Sequence, residues 1–335
     1  MFDSRNWTKN EIIALSSESA NRELTRCEVL ALHEAVRKLV NEVEERISCN
    51  INDEDMIRYF TNVDIWAHMT PRPHLDSIEY HVVDHCNLNC ASCGHFSSIA
   101  EEHFTDLEKF RFDYSRFAQV MGDKLKGIIF MGGEPLLHPR IEQFIMSARE
   151  IFPIGTIDMF TNGTLLQKMQ EVFWRTCAEY ETRLIVSAYP IKIDIDEIMR
   201  IAAKYGVLIT IAERSGDNWV FWTLDLGGKE NIYKSFILCS QANNCHQLKD
   251  GRLYPCSVTA YIEYFNKAFG KSLNLCDADS LDIYSNISAD DVLNFLSRPV
   301  PFCRYCKRDK FELTHWKVSS RNIDEWLGNP QSEDK

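Results

Sequence analysis

The sequence predicts an α/β protein built around a parallel sheet. Short apolar runs have the length of buried strands and lie at residues 80–83, 127–131, 157–160, 184–187 and 207–212. Amphipathic stretches separate them, near residues 107–124, 139–151, 165–180 and 194–205. Repeated strand–helix units form a parallel sheet with helices outside it, either open or curled into a partial barrel. In such folds the chemistry lies at the carboxyl ends of the strands.

The segments on either side of this sheet have a different character. Residues 9–61 carry apolar side chains at helical spacing and predict an N-terminal helical extension. Residues 71–73, which contain two prolines, end that pattern and indicate a linker. After residue 230 the alternation fades, and the chain contains several cysteines. The predicted division is therefore a helical extension (1–75), the strand–helix domain (76–230) and a small cysteine-containing C-terminal domain (231–335).

The composition excludes several classes of protein. The 335 residues are 45% hydrophobic and 26% charged, as expected for a globular protein and not for a disordered one. A net charge of −12 argues against binding nucleic acid, since phosphate binding needs clustered Lys and Arg. No apolar run reaches the roughly 18 residues that span a bilayer, and the first residues lack the apolar stretch of a secretion signal. These features predict a cytoplasmic protein.

The 12 cysteines suggest metal chemistry, because thiols of cytosolic proteins are kept reduced. Residues 86–93, here called the cluster loop, place Cys86, Cys90 and Cys93 directly after the first predicted strand. Such a short loop can wrap three sulfurs around one face of an iron–sulfur cluster and leave one iron without a protein ligand. An open metal position invites an exogenous ligand. The alternative is a zinc site of three cysteines completed by His85 or His95.

The second predicted strand ends in Gly132, Gly133, Glu134 and Pro135. Paired glycines allow a close backbone approach and positive φ. Glu134 then presents a carboxylate at the carboxyl end of the strand, where it suits a cationic amino group. As an isolated tetrapeptide this would be an ordinary turn. Its position one strand–helix unit after the cluster loop makes it specific.

The cluster loop followed by Gly-Gly-Glu-Pro closely resembles the radical S-adenosylmethionine (SAM) superfamily over about residues 76–225. The resemblance implies a partial (β/α)6 barrel. It also implies a 4Fe-4S cluster, held by Cys86, Cys90 and Cys93, whose fourth iron binds the amino and carboxylate groups of SAM. One departure is Ser92, where the family often has an aromatic residue beside the adenine.

The same resemblance implies which residues contact SAM. Glu134 and the neighbouring backbone of Gly132, Gly133 and Pro135 would hold the methionyl amino group. Ser187, at the end of the fourth predicted strand, matches a polar SAM contact of the family. Asn162, with Thr161, is a weaker candidate at the end of the third.

A second group of cysteines lies in the C-terminal region: Cys239, Cys256, Cys303 and Cys306. Asp250 and Gly251 predict a tight hairpin that brings flanking segments together. A structural zinc site is the alternative, since CxxC pairs are common in zinc ribbons. The spacing resembles the twitch domain, a shortened form of the SPASM domain, and this implies one auxiliary 4Fe-4S cluster. Cys245 is an alternative to Cys239 as a ligand.

The resemblance implies an enzyme that cleaves SAM reductively to a 5′-deoxyadenosyl radical and abstracts hydrogen from a small polar substrate. The chain is similar to radical SAM proteins of bacterial surface-polysaccharide loci, which implies oxidation or epimerisation of a sugar or nucleotide-sugar. A one-electron donor such as flavodoxin or ferredoxin would be its partner. Tyr189, Glu213 and Arg214 are candidate catalytic residues at the barrel mouth. The alternatives are a radical SAM peptide-modifying enzyme and, in another class, a non-catalytic metal or cluster scaffold.

Overall fold

The computed structural model describes residues 68–213, 219–220, 223–308 and 313–327. The chain divides into two compact units, Met1–Asn62 and Val63–Lys335, and every described residue belongs to the second. The predicted N-terminal helices lie outside the described residues, and the three-part division remains a prediction. No helix in the described part of the chain is long and apolar enough to cross a membrane.

Five consecutive parallel strands form the sheet, and this confirms the predicted α/β class. They are β1 (Ile78–Val83), β2 (Gly127–Gly132), β3 (Thr156–Thr161), β4 (Thr182–Ala188) and β5 (Ile209–Glu213). Their order across the sheet is the order along the chain, from β5 at the edge to β1. All five strands therefore end on the same side, where the cluster loop and the Gly-Gly-Glu-Pro turn follow β1 and β2.

Helices connect these strands. They are α1 (Leu107–Met121), α2 (Ile141–Ile151), α3 (Glu171–Glu179) and α4 (Ile195–Tyr205). The carboxylates of Asp106 and Asp194 accept hydrogen bonds from main-chain N–H groups of the first turns of α1 and α4. Gly206 ends α4 in the left-handed conformation, so β5 begins two residues later than the apolar pattern predicted. The predicted third helix is split, with a short 3-10 turn at Leu166–Lys168 before α3.

A short hairpin extends the sheet beyond β1. Strands β6 (Trp219–Val220), β7 (Gln247–Lys249), β8 (Arg252–Tyr254) and β9 (Leu281–Asp282) follow β5 in the chain. β7 pairs parallel with β1, and β8 and β9 add antiparallel strands. Asp250 (φ 50°) and Gly251 (φ 72°) both have positive φ between β7 and β8, as the predicted tight turn requires. β6 pairs instead with β10 (Leu313–Thr314) in a separate two-stranded sheet.

The C-terminal region packs around a second apolar core. Its helices are α5 (Ile232–Ile237), α6 (Ser257–Phe269) and α7 (Ala289–Leu296). Phe265 of α6, Phe96 near the cluster loop and Trp326 are buried together there. The larger core lies between the parallel sheet and its helices. The two cores place the C-terminal region directly beside the cluster loop.

Candidate active site

The three sulfurs of the cluster loop lie within electrostatic reach of one another. Burial raises the pKa of the Cys86 thiol to about 12, and the charges of Glu134 and Cys93 add to this effect. Burial, with the charges of Cys93 and Cys86, likewise raises the pKa of Cys90 to about 12. Burial also raises the pKa of Cys93. Without a metal the thiols are therefore protonated at neutral pH, and iron binding would release their protons.

Hydrogen-bond donors surround each of these sulfurs. The Leu88 main-chain N–H lies 3.4 Å from Cys86 Sγ, and Asn162 Nδ2 lies 3.7 Å from it. The Cys93 sulfur accepts from main-chain N–H groups of residues 95–97. Trp316 Nε1 lies 3.1 Å from Cys90 Sγ. Donors of this kind stabilise thiolates and anionic clusters.

Gly132 and Gly133 bring the second strand against the cluster loop. A Cβ atom on Gly132 (φ 136°) would lie 2.0 Å from the Val83 carbonyl oxygen, and one on Gly133 would lie 1.9 Å from the His85 carbonyl oxygen. The Gly133 N–H donates to the Val83 carbonyl, and the Glu134 N–H donates to the His85 carbonyl. The close approach predicted from the glycines is real. In this structure the two glycines approach the main chain that leads into the cluster loop.

Glu134 is a fully buried carboxylate at the carboxyl end of β2. It accepts hydrogen bonds from the Thr161 hydroxyl (2.6 Å) and from the main-chain N–H groups of Asn162 (2.8 Å) and Leu136 (3.2 Å). Burial raises its pKa to about 7, and these donors limit the rise. Pro135 begins the 3-10 turn in which Leu136 donates its N–H to this carboxylate. Glu134 is thus held rigidly beside Cys86 and is ionised only from about neutral pH upward.

Asn162 connects Glu134 to the cluster loop. Its main-chain N–H donates to Glu134, and its side chain donates to Asn87 Oδ1 (2.8 Å). Sequence reasoning proposed Asn162 and Thr161 as SAM contacts. In the structure both contact Glu134, and a direct contact with SAM stays a prediction. Ser187 is buried at the carboxyl end of β4.

Tyr189 lies next to the cluster loop, because its side chain hydrogen-bonds Cys90. Its ring centroid is 5.9 Å from that of Trp316. Glu213 is the last residue of β5 and pairs with Ala188 of β4, which places its backbone at the same end of the sheet. Arg214 lies outside the described residues. Roles for these three residues in catalysis stay predictions.

A buried polar network supports the cluster loop from the inner face of β1. His81 Nε2 lies 2.8 Å from His95 Nδ1, and His81 Nδ1 lies 3.2 Å from Asp84 Oδ1. Burial lowers the pKa of His81 and lowers that of His95 to about 3, so both rings are neutral. Tyr261 of α6 stacks on His81 with a centroid distance of 3.7 Å. His95, proposed as a zinc ligand, is therefore already bound to His81.

The C-terminal thiols form a second cluster of sulfur atoms. Burial and the charges of Cys306 and Cys239 raise the pKa of Cys256 to about 12. Burial, with Cys306, Cys256 and Cys239, raises that of Cys303. The hairpin delivers Cys256 to the start of α6, and a 3-10 turn carries Cys303. The four cysteines predicted to meet therefore lie within electrostatic reach of one another.

Cys245, the predicted alternative to Cys239, and Arg308, which was not predicted, also lie at this second site. Cys245 hydrogen-bonds the buried carboxyl of Glu79, and the charges of Cys239 and Cys256 add to the effect of burial in raising its pKa. Arg308 is 4% exposed and lies against the thiols. Burial alone lowers its pKa, but the charges of Cys306, Cys239 and Cys256 outweigh burial and raise it. Its position two residues after the CxxC pair is the one sequence signal that could have indicated it.

The donors fit iron–sulfur clusters by their chemistry. Both groups consist of partly or fully buried thiols with N–H donors or a guanidinium directed at them. Among the described residues, no three or more His, Cys, Asp or Glu side chains are arranged to hold a single metal ion. In a 4Fe-4S cluster each cysteine binds a different iron, so its sulfurs do not meet at one point.

Comparison with known proteins gives a family match and two groups of similar proteins. The family described as "4Fe-4S single cluster domain" matches residues 78–195. A GTP 3′,8-cyclase of Chlorobaculum tepidum is 31% identical over 94 residues, which are 28% of this chain and 28% of that protein. A GTP 3′,8-cyclase of Clostridium botulinum is 33% identical over 92 residues, 27% of this chain and 28% of its own. The chain thus spans little more than a quarter of the length of these curated relatives.

Two solved structures are similar at lower identity. BtrN in complex with AdoMet and 2-DOIA has a TM-score of 0.44 at 18% identity, covering 70% of this chain and 94% of BtrN. The anSMEcpe enzyme with bound AdoMet and the Cp18Cys peptide has a TM-score of 0.34 at 20% identity, covering 42% of each chain.

The family match at residues 78–195 contains the cluster loop and Glu134, so this part of the chain is similar to an iron–sulfur domain.

Proposed function

We propose that the protein is a radical SAM enzyme that acts on a small polar substrate, a sugar or nucleotide-sugar of surface-polysaccharide biosynthesis. The observation that carries the enzyme class is the juxtaposition of three neighbouring thiols with the buried Glu134 carboxylate, which Asn162 joins to Cys86. A scaffold needs the thiols but has no use for a buried carboxylate poised near neutral pH beside them.

In this proposal the cysteines, Glu134 and Asn162 have separate roles. Cys86, Cys90 and Cys93 hold the cluster, and Glu134 accepts N–H donors from the amino group of SAM. When bound, the cluster supplies one electron that cleaves SAM to methionine and a 5′-deoxyadenosyl radical, which abstracts hydrogen from the substrate. Asn162 fixes the relative positions of Glu134 and Cys86.

The carbohydrate substrate is supported by the sequence resemblance alone. The curated relatives carry the name GTP 3′,8-cyclase. That name is a reason to include nucleotide-bearing compounds among the substrates that are tested. Tyr189, beside Cys90, is an aromatic side chain that would border the substrate. Net oxidation or epimerisation would fit such a substrate, with flavodoxin or ferredoxin as electron donor in the cytoplasm.

We also propose that Cys239, Cys256, Cys303 and Cys306 hold an auxiliary 4Fe-4S cluster of the twitch type. Support comes from Cys303, because the charges of all three other thiols raise its pKa and these thiols must therefore lie near it. Cys245 hydrogen-bonds the carboxyl of Glu79, whereas the charge of Cys239 acts on the pKa values of Cys256, Cys303 and Cys306, which favours Cys239 as the ligand. A buried Arg308 offsets the negative charge that four thiolates and a cluster bring.

The test is anaerobic incubation of the reconstituted protein with SAM and dithionite, followed by measurement of 5′-deoxyadenosine. Wild type should form it, and the Glu134→Ala variant, with unchanged cluster absorbance, should form much less. A panel of deuterated nucleotide-sugars, free sugars and peptides then identifies the substrate by deuterium transfer into 5′-deoxyadenosine. Loaded protein that forms no 5′-deoxyadenosine would favour the scaffold, and deuterium from peptides alone would favour the peptide-modifying class.

A further inference from the structure

Residues 315–327, here called the cover, lie directly on the cluster loop. The Ala91 N–H donates to the Lys317 carbonyl (2.9 Å), and the Ser319 N–H donates to the Asn89 carbonyl (2.7 Å). These bonds flank an antiparallel bridge between Cys90 and Val318. The cover thus pairs with the cluster loop as a strand pairs with its neighbour.

The cover is anchored on both sides of this bridge. Glu325 accepts hydrogen bonds from the hydroxyl groups of Ser319 and Ser320 and from the main-chain N–H of Ser92 (3.4 Å). The indole N–H of Trp326 donates to the Cys93 carbonyl at 3.1 Å, and its ring is fully buried. The main chains of two of the three cysteines therefore contact the cover.

Trp316 is the member of the cover that reaches a sulfur atom. Its indole Nε1 lies 3.1 Å from Cys90 Sγ, and its ring lies beside Tyr189. Hydrogen bonds to cluster sulfurs and exclusion of solvent are the main means by which proteins adjust iron–sulfur reduction potentials. An N–H donor stabilises the reduced state more than the oxidised one, because the reduced state carries more negative charge on sulfur.

We propose that Trp316 is a positioning residue that raises the reduction potential of the cluster held by the cluster loop, and that residues 315–327 cover that cluster. This inference rests on the proposed function for the presence of the cluster. It concerns the full chain, in which the cover is held by bonds to main-chain atoms of the loop.

The test is a potentiometric titration of Trp316→Phe, followed by electron paramagnetic resonance. Phenylalanine keeps the aromatic packing and removes the N–H donor. At a fixed potential we expect the ratio of reduced to oxidised cluster to fall three- to tenfold, equal to ~28–59 mV at 59 mV per tenfold for one electron. Trp326→Phe is the matched control: it removes the same group from the same segment, but that group donates to a carbonyl oxygen. Its potential should change less than that of Trp316→Phe, because the group that it removes does not contact a sulfur atom.

The outcomes separate this inference from the proposed function. Trp316→Phe with full iron content and a wild-type potential would overturn the role of Trp316. A cluster loop that binds no iron in wild type would overturn the proposed function itself. Hydrogen exchange tests the cover independently: the amides of Ala91 and Ser319 should be protected in loaded protein, and exchange at the rate of an exposed loop would refute the cover.

Discussion

Replacing Glu134 by glutamine should weaken SAM binding and remove its dependence on pH. The burial of Glu134 raises its pKa to about 7, so the carboxylate ionises across the range in which the enzyme would work. Glutamine is close to glutamate in shape, and its carbonyl can keep the Asn162 N–H, while its amide replaces the oxygen that accepts from Thr161 and Leu136. The substitution thus removes charge with little change in shape.

The magnitude follows from the titration of this group. With a pKa of about 7, the ionised fraction rises about eightfold between pH 6 and pH 7.5. Wild-type affinity for SAM should therefore rise about eightfold between pH 6 and pH 7.5. The titration stops below pH 8 because the α-amino group of SAM itself loses its proton near that pH. At pH 7.5 the Gln variant should bind more weakly by about 1.5–3 kcal/mol, or roughly ten- to a hundredfold.

The assay is anaerobic calorimetry of cluster-loaded protein at half-unit pH steps. Thr161→Val serves as a second variant, since loss of its hydroxyl donor should raise the pKa of Glu134 and move the affinity rise to higher pH. The raised pKa also means that the stability contributed by the protonated carboxyl is lost as pH rises through 7. Thermal stability of wild type relative to Glu134→Gln should fall as the pH rises from 4.5, the ordinary pKa of this carboxyl, to about 7. Equal SAM affinities of wild type and Glu134→Gln at pH 7.5 would refute the reasoning.

Three further predictions concern the thiols. Changing all three cysteines of the cluster loop to alanine should leave about half of the roughly eight irons of reconstituted protein, by iron assay; unchanged iron would contradict the loop assignment. Cys239→Ala should lose the auxiliary cluster while Cys245→Ala keeps it, and the reverse result would exchange the two assignments. Arg308→Gln should retain iron but lower the auxiliary cluster's reduction potential, because a buried positive charge beside the thiols is removed; an unchanged potential would exclude that role.

Much of the fold could be predicted because its signals are local. The apolar runs and the residues between them located five strands and four helices to within a few residues. The turn at Asp250 and Gly251 could also be predicted, because an Asp-Gly pair favours the positive φ that both positions of such a turn require. The pairing of β7 with β1 was not, because it joins residues far apart in the chain and only Glu79 and Gln247 pair in it.

The candidate site divides in the same way. Its cysteines and Glu134 stand in short motifs whose spacing carries the chemistry. The donors that surround them do not: Trp316 contacts Cys90 across 226 residues, and Trp326 contacts Cys93 across 233. Nothing in the local pattern near residue 316 indicates these contacts. Tertiary packing alone creates them.

The separation of Trp316 from Cys90 has a consequence for how the protein is made. At roughly 5–20 residues per second, a ribosome needs about 10–45 seconds to add the 226 residues between them. During that interval the three thiols are already synthesised, while the segment that later lies on them does not yet exist. Under the proposed function, iron delivery would be least obstructed before the last part of the chain folds back. Slower translation of this stretch would lengthen the window, and a nascent chain stalled before residue 316 would present an accessible loop to the loading machinery.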